Sequence, residues 1–159
     1  MQLLLSLLQG ITMSGVLHKV PLEELVSRSQ SIALVRPTGS TGSREVPGMT
    51  PACVVPWREY EVVEVLRAPS KSGLPPKIKV EPSDARQNCR IGAMMNSPVH
   101  PILIIDAYIP LDTAGLADPS AAKVLFLRGE SADHLTEVVR DAQDGAGCVP
   151  KIRAILTKP

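Results

Sequence analysis

Proline is the residue that most limits how this chain can fold. Fifteen of its 159 residues are proline, against about 5% in average usage, and several stand at the ends of apolar runs. SIALVRP (31–37) is closed by Pro37, and PILIIDAYIP (101–110) carries proline at both ends. Proline has no N–H to give a strand ladder and breaks helix interiors, so this punctuation favours short strands and turns. Aromatic residues are scarce, limited to Trp57, Tyr60, Tyr108 and Phe126. The core must therefore be built from Val, Ile, Leu and Ala.

Charge narrows the function classes. Lys and Arg total 17 and Asp and Glu 16, a balance that speaks against nucleic-acid partners and against polybasic attachment to a membrane surface. A hydrophobic share of 44% beside 21% charged residues is that of a globular chain rather than a disordered one. The length suits one domain: an apolar N-terminal segment over 1–20, then a single domain over 21–159. The opening MQLLLSLLQGITMSGVL lacks a basic n-region, and Gln9 and Gly10 interrupt its apolar run. It is too short for a membrane-spanning helix and reads as a degenerate signal or as a helix packed through Leu3, Leu4, Leu7 and Leu8. Export and a cytoplasmic location both stay open.

PLEELVSRS (21–29) reads as a two-turn helix, with Pro21 in the first turn, Glu23 and Glu24 at the positive dipole end, and a Leu22, Leu25, Val26 stripe. SIALVRP then reads as a strand. Residues 37–56 are rich in Gly, Pro, Ser and Thr without a period and read as a long loop. WREYEVVEVLRAP (57–69) alternates, with Tyr60, Val62, Glu64 and Leu66 on one face. KIKVEP (77–82), residues 101–110, AAKVLFLRG (121–129) and KIRAIL (151–156) read as further strands, and 111–120 as a second long loop. Helix and strand compete over 131–144. The β-branched Thr136, Val138 and Val139 favour a strand at 134–139. Val62, Val63, Val65, Ile104, Leu125 and Leu127 are expected in the core. The result is a mostly β fold, a small antiparallel barrel with a short N-terminal helix.

The segments PLEELVSRSQSIALV, YEVVEVLRAP, KIKVEP and AAKVLFLRG resemble strands of a group of uncharacterised bacterial proteins. Those proteins are similar to the OB-like barrel of tissue inhibitors of metalloproteinases and netrin-type modules. The resemblance covers about residues 21–129 and implies an OB-like barrel. It does not carry the inhibitory activity, because the family's N-terminal cysteine has no counterpart before Cys53. The turn after Leu66 also departs from the pattern, with Arg67-Ala68-Pro69 in place of Lys-Gly.

No constellation of catalytic or ligating residues stands out. His18, His100 and His134 are isolated from one another, so neither a metal nor a cofactor is expected. Cys53, Cys89 and Cys148 permit free thiols or a single bridge, Cys53–Cys89 or Cys89–Cys148. Arg86 and Arg90 beside Cys89 would favour a thiolate, which makes Cys89 the candidate nucleophile; a cysteine at a strand end is the plainer reading. Trp57 and Tyr60, three apart and on opposite faces of one strand, are the candidate binding residues; anchoring the barrel rim is their plainer reading. GxSxG, P-loop and GxGxxG motifs do not occur. The expected function is a non-enzymatic binding module for a protein or a small ligand, with its contacts in the 37–56 and 111–120 loops. The alternative is a small cysteine-dependent enzyme using Cys89.

Overall fold

Strands dominate, two of them 16 and 15 residues long, with a helix close to each end of the described chain. The computed structural model describes residues 14–50, 52–71, 73–85, 89, 102–129, 131 and 133–159. In chain order the elements are β1 (Ser14–Val20), α1 (Leu22–Arg28), β2 (Ser31–Val46), β3 (Cys53–Arg67), β4 (Lys77–Glu81), β5 (Ile102–Tyr108), β6 (Lys123–Arg128), β7 (Leu135–Glu137), β8 (Gln143–Gly145) and α2 (Val149–Leu156). A 3-10 turn, Ala146–Cys148, precedes α2. Six strands form one sheet in the order β2-β3-β4-β7-β6-β8, and the start of β2 also pairs with β6. β1 and β5 form a separate parallel pair.

The apolar run near residue 125 lies at the centre because β6 is buried on both faces. Val124 and Phe126 pack with α1, α2 and Tyr108, while Leu125 and Leu127 pack with Val35, Tyr60, Ile78, Val80 and Leu135. A strand with two covered faces needs a continuous apolar run rather than an alternating one. β2 serves the same two clusters, through Ile32 on one side and Ala33 and Val35 on the other. The expected helix over 21–29 forms as α1, burying its Leu22, Leu25 and Val26 stripe. Arg67 from β3 donates to the carbonyls of Val26 (2.6 Å) and Ser29 (3.1 Å), satisfying acceptors that a helix end leaves open.

Several expectations are corrected. The sheet is not the closed antiparallel barrel expected from strand order. β8 stands outside β6, the β4–β7 ladder is parallel and two residue pairs long, and β1 with β5 lies apart. The partner of residues 102–108 is 14–20, so part of the expected N-terminal segment belongs to the fold; residues 1–13 lie outside the described residues. Strand order read from neighbouring runs cannot reveal so distant a pairing. Residues 151–156 are helix, because Pro150 opens a helical turn and Ile152, Ile155 and Leu156 pack against the α1 cluster at a spacing of three and four. Residues 37–56 are not a loop. They carry the outer half of β2, a turn at Gly48 and the start of β3.

The competing segment 131–144 holds a strand over Leu135–Glu137, after which Val138 and Val139 turn into the core and the chain enters β8 at Gln143. Leu125 and Leu127 are fully buried as expected, and Val62 is half-buried. Val63 (46% exposed), Val65 (38%) and Ile104 (62%) are not buried. Val63 and Val65 lie on the outward face of β3, and Ile104 lies on β5, which pairs with β1 and meets the rest of the fold through the Ala107–Arg140 bridge and Tyr108. Apolar content marks strands here, yet not which face is covered.

The outer β2–β3 ribbon is held by means other than apolar burial. Residues 41–46 pair in register with 53–58, and Cys53 is bonded to Cys89 across 36 residues of sequence. Closing a loop of that length restricts the unfolded chain. Cys53→Ser is expected to lower unfolding free energy by about 2–4 kcal/mol, measured by urea titration of oxidised protein. A loss indistinguishable from zero would show that the ribbon does not depend on the bond.

Candidate ligand cleft

A cleft of about 220 Å³ opens where β3, β4 and the β7–β8 turn meet, and both aromatic residues singled out in the sequence line it. Tyr60 pairs with Ile78 and Arg58 with Val80 across the β3–β4 ladder. Val80 in turn pairs with Leu135 on β7, which brings Glu137 to the same opening. Residues three apart on a regular strand face opposite ways. Beside Trp57 and Tyr60, however, the ladder is irregular. Pro37 pairs with Tyr60 and Thr41 with Arg58, so residues 38–40 bulge opposite a single residue of β3. A bulge bends and coils the strands, and Trp57 and Tyr60 border one cavity.

Each side chain is fixed by its neighbours. The indole of Trp57 lies against Gly42, its cross-strand partner, where a Cβ would run into the ring. An aromatic ring lying over a strand glycine covers backbone that would otherwise be bare. The ring also carries Lys79 Nζ at 4.7 Å from its centroid, a cation–π contact. Tyr60 is buried, and burial raises its hydroxyl's pKa, with the charge of Glu137 adding to the rise and Arg58 opposing it. Glu81 is only 1% exposed. It accepts two hydrogen bonds from Arg44, at 2.6 Å and 2.8 Å, a bidentate pair that satisfies the buried carboxylate.

Glu137 has no such partner: among the described residues no hydrogen bond or ion pair reaches its carboxylate. Burial pushes its pKa up to about 7, and the nearby charge of Asp141 pushes the same way; Arg58 pulls it down. Asp141 stands at the mouth in a left-handed backbone conformation (φ 53°), which Asp tolerates better than most residues. The cleft therefore presents aromatic surface, one arginine and two carboxylates lacking a buried cationic partner.

The remaining candidates fall elsewhere. Cys89 is bonded to Cys53, so its sulfur is not a thiolate nucleophile in this structure. Cys148 is free and buried, and burial, followed by its contact with Asp144, pushes its pKa up to about 12. A thiol so placed is inert at neutral pH. His18 meets the Asp106 carboxylate at 3.2 Å on the surface, His134 lines a different opening, and His100 lies outside the described residues. No group of three or more potential metal ligands occurs among the described residues.

Of the two expected contact loops, 111–120 is a loop held by buried Asp144. That carboxylate accepts from the amides of Leu111 (3.3 Å) and Asp112 (2.8 Å) and from the Tyr108 hydroxyl (2.5 Å). The other, 37–56, reaches the cleft only through Pro56.

Sequence reasoning missed Glu137 and Asp141. An acid set among Leu135, Val138 and Val139 was the available signal, since a carboxylate within an apolar run is either paired or used. No helix of the described residues is long and apolar enough to cross a membrane. Comparison with protein-family models, with curated proteins and with solved structures finds no match to this chain.

Proposed function

We propose that this chain is a non-enzymatic binding module whose ligand sits in the cleft between Trp57, Tyr60 and Glu137. The observation that carries this reading is the convergence of both aromatic residues with charged groups of both signs on one opening. Apolar walls with a few convergent polar groups are the usual make-up of a ligand site. The alternative of a cysteine enzyme loses its support because Cys89 is in a disulfide and Cys148 is buried. What favours the OB-like part of the reading is that β2 pairs with both β3 and β6, which curls the sheet back toward its first strand. The Cys53–Cys89 bond favours an oxidising compartment over the reducing cytosol.

Trp57 is the single tryptophan of the chain, so its indole reports directly on the cleft. Screening small polar and aromatic compounds by NMR should give saturable shifts of the Trp57 indole N–H. Ligands that bind elsewhere while leaving that resonance unmoved would overturn the assignment of the site.

A further inference from the structure

We propose that the cleft selects a ligand bearing an ammonium or guanidinium group on an apolar stem, the cation seated between Glu137 and Asp141 and the stem against Trp57 and Tyr60. This rests on the cleft being a binding site, and names the chemistry it recognises. The charges argue for it. Three carboxylates line the opening, those of Glu81, Glu137 and Asp141, against the single cation of Arg58. Glu81 is neutralised by Arg44 at 2.6 Å. Arg58 stands close enough to lower the pKa of both Tyr60 and Glu137, but among the described residues it forms no ion pair with a carboxylate of the cleft. Asp141 has only a solvent-exposed contact with Arg140, at 3.6 Å, the kind of pair that contributes little. Glu137, half-buried, meets no hydrogen-bond or ion-pair partner among the described residues and stands beside a second acid. A ligand cation between them would remove their mutual repulsion and add to the counter-charge that Arg58 gives Glu137.

The aromatic wall fits the same ligand. Lys79 shows that the Trp57 ring accepts an alkylammonium at 4.7 Å, and a cation's aliphatic stem packs well on such surface. A volume of about 220 Å³ admits one side chain or a small free amine rather than a folded epitope.

The titratable groups facing Glu137 are Asp141 from the β7–β8 turn, Arg58 and Tyr60 from β3 and Asp84 beyond β4. With its pKa near 7, the carboxylate gains its charge as pH rises through neutrality. Affinity for a cation should then rise about tenfold between pH 6 and pH 8, following the deprotonated fraction of a group with that pKa.

The test uses the full chain and the Trp57 emission and indole N–H signals. The probes are hexylamine, as a free amine, and a short peptide with one central lysine; hexanoate and hexanol are the controls of matched stem. Both cationic probes, or one of them, should saturate the signal while the controls do not. Saturation by hexylamine alone points to a free amine as the natural ligand, and tighter binding of the peptide to a protein side chain. Glu137→Gln, which keeps shape and every other titrating group, should weaken the cation about tenfold and flatten the difference between pH 6 and pH 8. Equal or better binding of hexanoate or hexanol, or full affinity in Glu137→Gln, overturns the cation assignment while leaving the cleft a binding site. If no probe of any charge moves Trp57, the cation assignment falls and so does the reading of the cleft as a site.

Discussion

Asp144→Ala is expected to lower the unfolding free energy by about 3–5 kcal/mol, the range for removing one member of a buried charged network. Asp144 is fully buried and its carboxylate works as a four-way acceptor. It takes hydrogen bonds from the Tyr108 hydroxyl at 2.5 Å, from the amides of Leu111 and Asp112, and from its neighbour Gly145 at 2.9 Å. Without it, a buried phenol and backbone amides of the 111–120 loop lose their acceptor together, and each orphaned buried donor costs about 1–3 kcal/mol. Gly145 sits in the same knot: a Cβ there would collide with the Ala114 carbonyl.

Asp144→Asn should cost less, because one oxygen remains to accept while the amide nitrogen faces donors. Urea titrations of Asp144→Asn, Tyr108→Phe and the double variant give the coupling between the two groups. Additive losses would mean that the phenol and the carboxylate are not coupled in solution. A loss below about 1 kcal/mol for Asp144→Ala would mean that water satisfies these groups and the network is not closed.

Arg44→Ala should be nearly as damaging, by about 3–5 kcal/mol, because it strands a carboxylate that is 1% exposed. The pair joins β2 to β4 across 37 residues of sequence and fastens the outer ribbon to the sheet beside the cleft. The energy lies more in the penalty of leaving Glu81 bare than in the attraction itself. Replacing both partners, Arg44→Met with Glu81→Met, should therefore recover most of the loss, since well-packed apolar pairs often equal or exceed buried ion pairs. A double variant as unstable as Arg44→Ala would show that the bidentate hydrogen bonds, rather than relief of desolvation, hold the ribbon. A negligible effect of Arg44→Ala would show that solvent reaches Glu81.

Much of this architecture was legible in local sequence. The stripe of Leu22, Leu25 and Val26 after Pro21 marks α1 correctly, because a helix packed on one side needs only residues three and four apart. The run Val124–Leu127 marks a strand covered on both faces, and the alternation from Tyr60 to Leu66 marks the inward face of β3. The outer half of β2 escaped, because its polar residues are held by ladder pairing, the disulfide and Arg44, none of which leaves an apolar period. α2 escaped for the opposite reason: KIRAIL alternates well enough to read as strand, and Pro150 was the sign of a helix start that alternation hid.

The candidate site was half legible. Trp57 and Tyr60 were visible as rare aromatics at a strand start, but the sequence placed them on opposite faces, and the cleft that both line is formed with residues from β4 and β7. Glu137 and Asp141 belong to it only because β7 pairs with β4, a contact between segments more than fifty residues apart in sequence. What the chain determined by itself was the residue-level physics: which runs must be buried and which helix face is apolar; Pro37, expected to close its strand, lies inside β2 instead. What the tertiary structure alone decided was pairing at a distance: β1 with β5, Cys53 with Cys89, Arg44 with Glu81, and the acids with the aromatics. Local patterns follow from the period of one element against water, whereas these pairings depend on loop closure and mutual desolvation of groups far apart in sequence, and no window of neighbouring residues records those energies.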